Sequence, residues 1–74
     1  MVLNWEPDAT IAVEMQGDAV QISANRAGLL SLANFLTTMA QADCREHIHL
    51  DEHNSLEDGS VDLIIDRIDD PHKP

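Results

Sequence analysis

Four short stretches of this chain alternate polar and apolar residues, and between the second and third the period lengthens to three and four. From Thr10 to Met15, Ile11, Val13 and Met15 share one face, and Thr10, Ala12 and Glu14 share the other. A period of two marks a strand with one covered face. Ala19 to Ser23 resumes the alternation, with Val20 and Ile22 inward. The link Gln16-Gly17-Asp18 holds a glycine free to take positive φ, so the two stretches read as a β-hairpin.

The longer period follows. Leu29, Leu32, Ala33, Leu36, Met39 and Ala40 recur at three- and four-residue steps. They predict an amphipathic helix that ends near Ala42 and turns this stripe to the core. Ser23 or Asn25 can cap its first turn. Gly28 costs roughly 1 kcal/mol against alanine in a helix, so its presence predicts close packing against a strand. Leu30 and Phe35 fall off the stripe. They widen the core stripe or form a contact with a second copy of the chain.

Beyond the polar connector Asp43 to Glu46, alternation returns in His47-Ile48-His49-Leu50-Asp51. Ile48 and Leu50 point inward, and His47, His49 and Asp51 outward. A loop from Glu52 to Ser60 is rich in turn formers, and its Leu56 is expected to tuck back onto the core. Val61 to Arg67 is the last strand, with Val61, Leu63 and Ile65 on one face and Asp62, Ile64 and Asp66 on the other. Trp5, the one tryptophan, stands beside Pro7 and is expected to pack over a core edge.

The order is ββαββ. It predicts an α+β, two-layer fold with one amphipathic helix packed on a four-stranded antiparallel sheet. Residues 1–68 form a single domain and 69–74 a flexible C-terminal tail. The uncovered sheet face, with Glu14, Gln21, His47, His49, Asp51, Asp62 and Asp66, is expected to be wet and negative.

Charge narrows the partners. Among 74 residues, 14 acids oppose four bases, for a net charge of −10. Such a surface repels nucleic acid and anionic membranes and favours a basic protein partner. The 43% apolar content and the ordered periodicities argue against disorder. Cys44 stands alone, so no disulfide forms within the chain. The first residues lack a basic segment followed by an apolar one, and a cytoplasmic location is expected.

The residues that carry chemistry are few. Alternate strand residues sit about 6.6–6.8 Å apart, close enough for two imidazoles to share a Zn²⁺ or Ni²⁺ ion. His47, His49, Asp51 and His53 are the candidate ligands, with Asp62 able to complete the shell. Cross-strand hydrogen bonding or contact with a partner is the favoured role of the histidines, so neither a native metal nor a cofactor is expected. Ser60 and Cys44 have no base placed near them by local sequence, and there is no phosphate loop or dinucleotide fingerprint. Enzymatic activity is not expected.

The chain resembles a family of small bacterial immunity proteins, the immunity protein 32 family, over roughly residues 20 to 68. The resemblance rests on Asn25-Arg26, Gly28-Leu29, Leu32-Ala33, His47-Ile48-His49-Leu50-Asp51, Leu56, Gly59-Ser60 and Leu63-Ile64-Ile65. It implies a protein that neutralises a toxin by binding it. Together with the charge, it points to a basic toxin domain as partner and to His47, His49, Asp51, Asp62 and Asp66 as the binding face. The alternatives are a module that binds metal through His47 and His49, and a homodimer that joins through Leu30 and Phe35.

Overall fold

The computed structural model describes residues 4–43 and 45–68. The expectations for Cys44 and for the tail 69–74 lie outside them. Two strands, β1 (Ile11–Gln16) and β2 (Ala19–Ala24), precede the helix α1 (Arg26–Gln41), and β3 (His47–Leu50) and β4 (Leu63–Asp66) follow it. β1 and β2 pair antiparallel, with Val13 opposite Ile22 and Met15 opposite Val20. Gly17, in the two-residue link, has φ of +62°, which such tight hairpins ask of a residue without Cβ.

The expected four-stranded sheet is instead two sheets of two strands, β1–β2 and β3–β4. The reason lies between residues 57 and 61. This segment runs beside the open edge of β1: the Glu57 N–H donates to Ile11 O (2.8 Å) and the Val61 N–H to Val13 O (2.9 Å). Between those two bonds the chain turns at Gly59, whose φ is +86°, and the Ser60 N–H closes onto Glu57 O at 3.1 Å. The Val13 N–H reaches the Ser60 hydroxyl at 3.1 Å instead of a backbone carbonyl. The turn uses the backbone groups that a ladder needs, so the two sheets are stitched together by a loop.

Asn25 starts the helix. Its side-chain oxygen accepts from the Gly28 N–H at 2.7 Å and from the Thr10 N–H at 3.0 Å. Its amide donates to Asp8 O at 2.9 Å. One side chain thus caps α1 and ties it to the entry of β1. At the other end, Arg67 Nη1 donates to Met39 O (3.1 Å) and Ala42 O (2.9 Å). It satisfies carbonyls that a helix leaves orphaned and places a cation at the negative end of the helix dipole.

The core is Ile11, Val13, Phe35, Met39, Ile48, Leu50 and Leu56. Leu56 tucks in as expected, and Trp5 meets Phe35 edge-on with ring centroids 4.7 Å apart. The buried face of α1, however, is Gly28, Ser31, Phe35 and Met39. Of the expected stripe only Met39 is buried and Leu32 half-buried; Leu29, Ala33, Leu36 and Ala40 face solvent. Phe35 is core rather than a surface for a second copy, while Leu30 is exposed. Gly28 decides this rotation. A Cβ there would run into the Thr10 carbonyl oxygen and come within 3.0 Å of Ile11 Cγ1 and Ala24 Cβ. The helix comes closest where its side chain is absent, and the leucines swing aside. Buried Ser31 fits this face by accepting the Glu6 N–H at 2.8 Å and donating to Ala27 O at 2.9 Å.

The hairpin is only half covered. Val20 and Ile22 were expected inward, and they do share the face of Ile11 and Val13. They remain 57% and 43% exposed.

Candidate functional site

The β3–β4 hairpin carries the candidate face. Its register sets His47 opposite Asp66, Ile48 opposite Ile65, His49 opposite Ile64 and Leu50 opposite Leu63. Ile48 and Leu50 are buried and Leu63 and Ile65 half-buried. Alternation then turns His47, His49, Ile64 and Asp66 to solvent on the opposite side. Asp62, one residue ahead of β4, reaches His49: its Oδ2 lies 2.9 Å from His49 Nε2. Both side chains are about half exposed.

Asp66 is engaged differently. Arg45 Nη2 lies 3.2 Å from its Oδ2, and Arg45 Nε donates to Arg67 O at 2.8 Å. The arginine spans the end of the hairpin and offsets part of the negative charge there. His47 is exposed opposite Asp66.

Asp51, expected on the binding face, also has a structural task. It is half-buried, and its Oδ1 accepts from the His53 N–H (2.9 Å) and the Asn54 N–H (3.1 Å). Its backbone oxygen accepts from Ser55 (3.0 Å) and Leu56 (2.8 Å). These bonds fold the chain back after β3 and deliver Leu56 to the core. Asp51 thus organises the loop.

Ile64 is the residue that the sequence-derived face leaves out. It is 61% exposed in the middle of a polar surface, directly across from His49. Its outward position was legible from the alternation, since it lies between Asp62 and Asp66. What the sequence does not give is its place beside the histidines.

The same geometry selects the group that can take a metal ion. Among the described residues, ligand atoms of His49, Asp51 and Asp62 all lie within 4.8 Å of one another. His47 and His53 are outside that group; the His53 ring turns away, with Nε2 4.0 Å from Glu52 Oε1. His49 is hydrogen-bonded to Asp62, and Asp51 to the backbone of its own loop.

Elsewhere, Trp5, Glu6, Asp8, Ala9, Asn54 and Ser55 line a shallow groove of about 300 Å³. No helix among the described residues is long and apolar enough to cross a membrane.

Comparison with known proteins identifies a family. The immunity protein 32 family matches residues 19–68, well over half of the chain, and the protein belongs to that family. No curated protein and no solved structure matches it. Several residues that carry the resemblance build the fold: Asn25 caps, Gly28 admits the close approach, Leu56 fills the core and Ser60 holds β1.

Proposed function

We propose that this protein is the protective half of a bacterial toxin–immunity pair. In this reading it binds a cognate toxin in the cytoplasm and blocks it sterically and electrostatically, without catalysis. The observation that carries the reading is the family membership over residues 19–68. The net charge of −10 supports it and gives the partner its chemistry. A toxin that acts on a polyanion needs a basic cleft, and an acidic surface competes for that cleft at close range.

The proposed contact surface is the outer face of β3–β4, with His47, His49, Asp62 and Asp66 as its polar elements and Ile64 as its apolar centre. Asp51 contributes by holding the adjoining loop in shape. An exposed isoleucine ringed by charge and imidazole is the usual build of a small interface, with apolar contact inside and steering charge at the rim.

Affinity capture of the tagged chain from its source lysate tests the reading. A basic protein retained at low salt and released as salt rises is expected. Retention of no protein, or retention indifferent to salt, contradicts it.

A further inference from the structure

The acidic character of this protein stops abruptly at one part of its surface. All 14 acids lie before residue 19 or after residue 42, and between those limits Arg26 is the only charged side chain. That interval is β2 and α1, 6 and 16 residues long. On α1 the solvent-facing side chains after Arg26 are Leu29, Leu30, Ala33, Asn34, Leu36, Thr37, Thr38, Ala40 and Gln41. A helix exposed to water normally shows charge on that side. Here a chain with 14 carboxylates places none.

β2 has the same character. Among the described residues its only strand partner is β1, so one edge is open. Open edges are usually guarded by lysine, proline, a bulge or an inward charge. The segment Ala19-Val20-Gln21-Ile22-Ser23-Ala24 has no charge, no proline and no glycine, and it pairs with β1 without a break in register. Met15, Val20 and Ile22 are 55%, 57% and 43% exposed. They extend the uncovered apolar surface onto the core-facing side of the hairpin.

Leu29 and Leu36 lie together on one flank of the helix. At 100° per residue this flank is well removed from Ser31, where the N-terminal arm is bonded. Residues 4–9, the described part of the N-terminal arm, leave that flank open.

We propose that β2 and the outer surface of α1 are a homodimer interface, occupied by a second copy of this chain. The choice of occupant follows from charge. Two molecules each bearing −10 repel through most of their surfaces. They can approach closely only where neither shows a carboxylate, and this is such a surface. A basic partner gains nothing from a patch without acids, whereas it gains from the rest of the molecule. The edge strand is also self-complementary: a two-fold axis beside β2 sets it antiparallel to its own copy and joins the two hairpins into one four-stranded sheet. Fifteen residues of β2 and α1 are exposed, somewhat below the roughly 20–30 per side of a standard interface, which suits a weak dimer. The inference stands independently of the toxin reading and uses the surface which that reading leaves free.

The test is sedimentation of the purified full chain, alone, over a range of concentration and salt. A monomer–dimer equilibrium is expected, and the dimer should strengthen as salt screens repulsion between the like-charged chains. Ile22→Lys and Leu36→Glu, each at an exposed position, should weaken the dimer by roughly tenfold or more by burying a charge. Far-UV circular dichroism and melting confirm that each variant folds. Asp62→Lys, on the other hairpin, should leave the dimer intact. A chain that stays monomeric at every concentration and salt overturns the proposal. So does a dimer untouched by Ile22→Lys and Leu36→Glu, which would place the contact elsewhere.

Discussion

His49 and Asp62 meet at 2.9 Å across the open face of the second hairpin, joining β3 to the residue just ahead of β4. Both groups remain about half exposed, so the pair is available to a partner, and its contribution to folding is small. Asp62→Asn is expected to shift the melting temperature little. It should nonetheless slow association with a basic partner, because steering depends on charge. Stopped-flow association at low salt measures this; an unchanged rate removes Asp62 from the binding face.

Reversing charge goes further. Asp62→Lys with Asp66→Lys changes the face by four units and should slow association on the order of tenfold or more at low salt, flattening its salt dependence. Asp66 also holds Arg45 at 3.2 Å. A melting curve on the same variant therefore separates lost steering from a loosened hairpin end. A double variant that associates as fast as the parent would place the interface elsewhere.

Gly28 offers a test whose sign is decided by packing. In an exposed helix, glycine to alanine gains about 1 kcal/mol. Here the new Cβ meets the Thr10 carbonyl oxygen, a backbone atom that cannot step aside cheaply. Overpacking of this kind costs about 1–3 kcal/mol, so Gly28→Ala should lower stability in urea unfolding. A gain in stability would show that α1 does not approach β1 so closely.

Much of this architecture is legible in the amino-acid pattern, and what is not legible has physical causes. The strands, the first hairpin, the helix limits and the Asn25 cap follow from local chemistry, because each depends on neighbours in sequence; Gly28 signals a close approach, but its partners Thr10 and Ile11 are distant in sequence. The buried helix face does not follow from local chemistry. Leu29, Leu32 and Leu36 form the strongest apolar repeat, yet the helix turns Gly28, Ser31, Phe35 and Met39 inward. A hydrophobic count ranks glycine and serine low, while packing rewards the closest approach and the hydroxyl that holds the arm. The sheet division is hidden for a similar reason, since the 57–61 turn meets β1 only in three dimensions. The roles of Asp51 and Arg67 depend equally on groups brought together by folding.

Arg67 joins the end of β4 to the last carbonyls of α1. Arg67→Met keeps much of the aliphatic stem and removes these bonds. It should cost about 1–2 kcal/mol in chemical denaturation, from hydrogen bonds to a charged donor at a half-buried site. A variant as stable as the parent would show that the helix end is satisfied without it.

The loop after β3 should not need an ion. Asp51 already receives two backbone N–H groups on one oxygen, and His49 already has Asp62. A chelator is therefore expected to leave the melting temperature unchanged. A drop that added Zn²⁺ restores would mean that His49, Asp51 and Asp62 hold a resident metal.

The central claim is neutralisation of a toxin, and growth tests it most directly. The basic protein captured by this chain should arrest bacterial growth when expressed alone, and co-expression of the chain should restore growth. Arrest that persists despite stable co-expression of the chain, or a captured protein that is harmless on its own, would contradict the account.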